Sequence, residues 1–282
     1  MGSGGWPGFG AMPLDWSCSH QSRPIVKTTQ STAARVPHLL LRRQELTGFL
    51  REANGRALRV HALTGDPSLI RREKHGRVLA YTDALIAFAG VSSPEARFHG
   101  LHFDIEPHGL PEWKTASGEA GSAVKVALLT QWVEIHYLVA ERLSESGISL
   151  VLGSDIVFWL GKMNPDGSQV YPVTFRGVKK DPTKHHLEVV DHVAIMSHRD
   201  IAEGRNGILS LVGKTIDYTD TKEARLFVGV KMADIGPEKE SFFGQTETDM
   251  IATLKPVEEA FRPHSSYAGL AFFHYEAYKV MP

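Results

Sequence analysis

Cysteine is nearly absent: Cys18 is the only one in the chain. A single thiol excludes an intrachain disulfide and any cysteine-rich zinc site, and it fits a reducing compartment. Charge of one sign is also missing. Lys and Arg number 31 against 32 Asp and Glu, for a net charge of -1 and a sequence pI near 6.9. That balance offers no electrostatic footprint for nucleic acid or an anionic membrane surface. No apolar run is long enough to span a bilayer, and Met1 to Gly10 lacks the basic-then-apolar layout of a signal peptide. The default expectation is therefore a cytoplasmic protein with no nucleic acid or membrane partner.

What is present fits a soluble globular chain, with 42% hydrophobic and 22% charged residues over 282 positions. This length suits one α/β barrel. Residues 1–37 are rich in Gly, Ser, Pro and Thr and read as an irregular segment, with one short strand over Pro24 to Thr29. From residue 38 to 282 helical and extended patterns alternate. Helices are expected over Leu39–Asn54, Ser68–Ala89, Ala120–Ser144, Ile201–Gly213 and Glu247–Phe261. Strands are expected at Leu58–Leu63, Gly100–Glu106, Ile148–Leu152, His192–His198, Arg225–Lys231 and Leu270–His274. Lys162 to Lys184 forms a long excursion. Such alternation predicts a parallel sheet with helical crossovers: a (β/α)8 TIM-type barrel, incomplete or irregular in its first two strands. An open doubly wound sheet is the alternative. No Gly-rich turn follows the first clear strand to mark a nucleotide crevice.

The strand from Gly100 carries the clearest chemistry. Leu101, Phe103 and Ile105 share one face and suit packing against helices. His102, Asp104 and Glu106 share the other, with His108 just beyond. A purely structural strand seldom collects so many ionisable groups, because burying unpaired charge is costly. Asp104 to His108 also falls at the carboxyl end of the strand, where barrels place their active sites.

The octad His99-Gly100-Leu101-His102-Phe103-Asp104-Ile105-Glu106 resembles the strand-four motif Asp-Gly-x-Asp-x-Asp-x-Glu of the chitinase-type barrel glycoside hydrolases. Gly100, Asp104 and Glu106 match, while His99 and His102 replace the first two Asp residues. The resemblance implies Glu106 as the general acid that protonates the glycosidic oxygen. It implies Asp104 as the partner that orients the substrate's acetamido group. Two neighbouring carboxylates are expected to push one pKa upward, which keeps an acid protonated. Ala194 to His198 resembles that family's Met-x-Tyr-Asp strand end, with His198 at the Tyr and Arg199 at the Asp position. The last strand resembles its counterpart but lacks the Trp that floors the sugar site.

Other strand ends supply further substrate-binding candidates. Asp155 reads either as a second carboxylate or as a helix N-cap, and Trp159 as a sugar-stacking ring or a core anchor. Lys231 reads as an inward cation or a solvated strand end. Trp132 reads as core. His102, His108, His198, Arg199 and His274 complete the set.

The functional expectation is a glycoside hydrolase-like enzyme, a hydrolase acting on a carbohydrate or other small polar substrate without cofactor or metal. Two alternatives stand. One is a metal-dependent barrel hydrolase using His, Asp and Glu ligands, with His61, His102, His108, His198 and His274 near strand ends. The other is a non-catalytic carbohydrate-binding barrel.

Overall fold

A computed structural model describes residues 43–282 and the backbone of the strand at 25–29. The expected segment boundary at 37/38 lies outside the described residues. Seven parallel strands form one sheet: β1 (Ile25–Thr29), β2 (Arg59–Thr64), β3 (Gly100–Phe103), β4 (Val151–Val157), β7 (His192–Met196), β8 (Arg225–Lys231) and β9 (Tyr267–Phe273). Their order in the sheet follows the chain: β1-β2-β3-β4-β7-β8-β9. The crossovers contain α1 (Arg43–Gly55), α2 (Arg72–Gly90), α3 (Pro111–Thr115), α4 (Gly118–Glu145), α5 (Pro182–His186), α6 (Ile208–Thr219) and α7 (Glu247–Phe261). A short α8 (Tyr275–Tyr278) follows the last strand.

The sheet curls into a barrel wall. His61 on β2 and His192 on β7 are separated by two intervening strands, a span of about 14 Å on a flat sheet. Their ring centroids lie 4.9 Å apart. Among the described residues the sheet holds seven parallel strands, the plan of an incomplete barrel. The weak strand signal at Pro24 to Thr29 is β1, paired in register with β2 from Ile25↔Arg59 to Thr29↔Leu63.

Two of the elements whose bounds differ from expectation do so for local reasons. Residues 148–152 were expected as a strand, but β4 begins at Val151 and runs to Val157. Ser146 Oγ accepts from Ile148 N and delays the strand, while parallel pairing with β7 extends it through Gly153-Ser154-Asp155. The helix expected at Ile201–Gly213 begins only at Ile208 and runs on to Thr219. Gly204 takes φ +87° in a turn whose carbonyl accepts from Gly207 N, and that turn consumes the would-be first helical turn. The excursion from Lys162 to Lys184 contains a hairpin, β5 (Val173–Phe175) with β6 (Val178–Lys180), that packs on the outside of α4 through Phe175 and Tyr137.

The layer between β3 and α4 positions the site from behind. Leu128, Trp132, Ile135 and Val139 are buried along one side of α4. Trp132 Nε1 donates to the Ile105 carbonyl at 3.1 Å, and so fixes the backbone between Asp104 and Glu106. Its ring stacks on His186 at 4.4 Å, and His136 meets His186 edge-on at 4.3 Å. Phe103 closes the group against His136. Burial holds both imidazoles neutral: His136 is pushed down to about 4, and His186 well below its ordinary value.

Two expectations follow. Trp132→Phe deletes the donor to Ile105 and shrinks the ring, so stability should fall by about 1–3 kcal/mol, read as a lower urea midpoint at unchanged m-value. The buried histidines make stability pH-dependent. Unfolded, they titrate near 6.5; folded, they resist protonation. The unfolded chain therefore binds more protons below that value. Stability should be complete above pH 6.5 and fall as pH drops toward 4, by on the order of 3 kcal/mol for His136. Denaturant melts of wild type and His136→Phe across that window should show a shallower decline in the variant.

Candidate functional site

Regular pairing of β3 ends at Phe103, although Asp104 N still donates to Thr64 O at 3.0 Å. Glu106 stays extended, and Pro107 opens a short 3-10 turn that carries the chain outward. Glu106 therefore stands at the carboxyl end of the barrel wall, its side chain 34% exposed. His108 Nε2 lies 2.9 Å from Glu106 Oε2. Behind His108, Trp159 presents its edge at 5.4 Å and packs in turn on Trp113 and Tyr171. Trp159 thus sits half-buried in an aromatic cluster that backs the Glu106–His108 pair.

Asp155 is an interior strand residue, so the N-cap reading is overturned: β4 extends past it. Its Oδ2 lies 3.1 Å from His102 Nε2, and its side chain is 13% exposed. Glu106, Pro107, Asp155 and Met196 border a small recess of about 10 Å³, with Ile105 and Trp132 behind. That is smaller than the ~300–1,000 Å³ usual for enclosed ligand clefts.

The neighbouring strand ends complete the mouth. His198 is mostly buried and is pushed down to about 4, first by burial and then by the Lys231 ammonium. The carboxylates of Glu240, Glu106 and Asp155 act in the opposite direction. Lys231 is buried rather than solvated, with Nζ 3.6 Å from Glu240 Oε2. Arg199 reaches the same glutamate at 3.6 Å and donates from Nη1 to the His198 carbonyl at 2.6 Å. Its Nε is buried with no hydrogen-bond partner among the described residues. Glu240, from the loop after β8, escaped the sequence reading, since nothing in its local pattern marks it as the shared partner of two cations. His274 is exposed and caps the short α8, accepting from Ala277 N.

His102 is fully buried, one pleat below Asp104. Its Nδ1 lies 3.3 Å from Nε2 of His192, a residue that sequence reasoning did not single out. Gly153, between them on β4, makes this possible: a Cβ there would stand 2.1 Å from His192 Nε2 and 2.4 Å from His102 Nδ1. The five histidines considered as a metal set are not gathered in one place. His61 and His102 lie in the barrel interior, His108 turns to Glu106, His198 packs near Phe273, and His274 is exposed. Asp66 is a turn residue, accepting from Ser68 N at 2.7 Å. No helix among the described residues is long and apolar enough to cross a membrane.

The sequence matches no protein-family model and no curated protein. Solved structures do match the fold. A GH18 chitinase from Pseudoalteromonas aurantia superposes with a TM-score of 0.51 at 10% identity, covering 82% of this chain and 76% of that one. The spore cortex-lytic enzyme SleL of Bacillus megaterium gives a TM-score of 0.50 at 9% identity, covering 88% of this chain and 69% of that one. The chain is thus built on the same parallel α/β barrel plan as these proteins, and it resembles the barrel glycoside hydrolases in fold.

Proposed function

We propose that the protein is a glycoside hydrolase-like enzyme acting on a carbohydrate, with Glu106 as general acid and Asp104 as its partner carboxylate. The observation that carries this reading is the placement of the partly exposed Glu106, paired with His108, at the carboxyl end of the barrel wall. Glu106 is exposed enough to meet a glycosidic oxygen and is anchored from behind through the Trp132–Ile105 bond. In the proposed step the Glu106 carboxyl gives its proton to the glycosidic oxygen as that oxygen's bond to the anomeric carbon breaks, and a water oxygen bonds to that carbon and releases a proton that restores the carboxyl. The 2.9 Å contact with His108 offers a route by which that proton returns.

The size of the recess favours a saccharide that approaches across the open mouth rather than one that is enclosed. His198, neutral at pH 7, suits a hydrogen bond to a sugar hydroxyl, and the buried Arg199 Nε is a donor that a substrate oxygen would satisfy. Asp155 borders the reaction space. Trp159 supports it through His108, and Lys231 supports it through Glu240. His274 lies exposed at the rim. His198 stands where the chitinase-type strand end has Tyr, and the last strand has no Trp. The reading therefore extends to carbohydrate in general and stops short of acetamido sugars.

Glu106→Gln keeps the shape and removes the acid. Screened beside wild type on chromogenic glycosides and polysaccharides, it should lose about 10²–10⁴-fold in turnover while sugar binding persists. Hydrolysis that survives intact in the variant would refute the assignment. Failure of both proteins on every substrate, with binding retained, would replace it by the binding-only barrel. His198→Ala should weaken saccharide affinity and leave the melting temperature nearly unchanged. A large drop in melting temperature with unaltered affinity would make His198 a core residue.

A further inference from the structure

Three imidazoles converge inside the barrel, below the mouth: His61 from β2, His102 from β3 and His192 from β7. One ring nitrogen from each lies within 4.8 Å of the other two. Their exposures are 0%, 0% and 6%. We propose that His61, His102 and His192 bind one first-row divalent cation, zinc foremost, as a clip that ties three strands of the barrel wall together.

Three independent features support the site. The first is distance. Two nitrogens bound to zinc at ~2.0–2.1 Å in tetrahedral array stand about 3.4 Å apart. His102 Nδ1 and His192 Nε2 are already 3.3 Å apart. The His61 nitrogen lies within 4.8 Å of both, so an approach of at most ~1.4 Å would complete the set. The second is the outer partner. The Asp155 carboxylate stands 3.1 Å from His102 Nε2, the ring nitrogen opposite the one that faces His192. A carboxylate behind a ligating histidine is the arrangement that fixes tautomer and raises ligand basicity. The third is space. Only glycine at position 153 leaves the two nitrogens unobstructed, since a Cβ would lie within 2.4 Å of both.

The donor set selects the ion. Three imidazole nitrogens in a dry interior suit zinc, copper, nickel or iron, and they suit magnesium or calcium poorly. A water molecule would complete four-coordination. Asp155 stands between the cluster and the recess, so the ion belongs to the wall of the barrel rather than to the exposed mouth. Because the ligands come from strands 41 and 90 residues apart in sequence, binding would couple directly to folding.

The test needs no substrate, so it is independent of the glycosidase reading. The full chain is stripped with chelator and titrated with cobalt(II), then with zinc. The expected result is one cobalt per chain with the visible absorption of a four-coordinate ion, displaced by zinc, and a melting temperature that rises with zinc concentration. His61→Ala and His192→Ala should abolish the absorption, and His274→Ala should leave it intact. Asp155→Asn keeps all three ligands and should weaken affinity about 10–100-fold. That variant decides the matter if the histidine variants fail to fold. Absence of stoichiometric cobalt binding, or binding that Asp155→Asn and the folded histidine variants leave unchanged, would overturn the proposal.

Discussion

The contact on which the site depends is the meeting of His102 and His192 across Gly153. A barrel interior must be filled, and in most such barrels it is filled by branched apolar side chains in layers. Here one layer is polar. His102 is held by Asp155 above and His192 beside it, and His61 closes the group from β2. A polar layer is tolerable in a dry interior only when its members satisfy one another. The Cβ missing from position 153 is what allows these rings to approach. Asp155 is thereby pinned at the floor of the recess, two residues further along β4, with Glu106 across from it.

The opposite face of β3 is held by different chemistry. Leu101, Phe103 and Ile105 are buried against the helical layer. The Trp132 indole donates to the carbonyl of Ile105, the one residue between the two carboxylates. The two sides of the strand therefore act together. The inner side fixes Asp155 through His102, and the outer side fixes the backbone that carries Asp104 and Glu106. Neither depends on the loops of the mouth, where Glu240 gathers Lys231 and Arg199.

Sequence periodicity recovered what local pattern controls. β8 and α7 begin and end where expected, because alternation and amphipathic spacing there meet no competing turn. The face assignment along β3 was legible for the same reason: period two places Phe103 outside and His102 inside. Longer-range effects were not legible. Gly153-Ser154-Asp155 has the composition of a turn, yet pairing with β7 makes it strand. The interior histidines come from three strands and carry no ligand spacing within any one of them, so only the curl of the sheet brings them together. The partnership of Glu240 with two cations likewise exists only once the loop after β8 is folded back.

The departures from the chitinase-type motif have local explanations. In place of the first Asp, His99 accepts from Val60 N at 3.2 Å and joins β3 to β2. In place of the second, His102 faces the Asp155 carboxylate at 3.1 Å. A carboxylate at position 102 would place a second negative charge near Asp155 in a dry interior, which is unfavourable. The change at 102 and the presence of Asp155 are thus one physical unit: a His–Asp pair stands where a second acidic rung would repel. Gly100 persists because a Cβ there would stand 2.3 Å from the Val151 carbonyl oxygen. Only Asp104 and Glu106 remain of the acidic ladder, and they are the two positions nearest the open end of the barrel. In this octad the buried half is wall structure, and the half at the mouth carries the carboxylates.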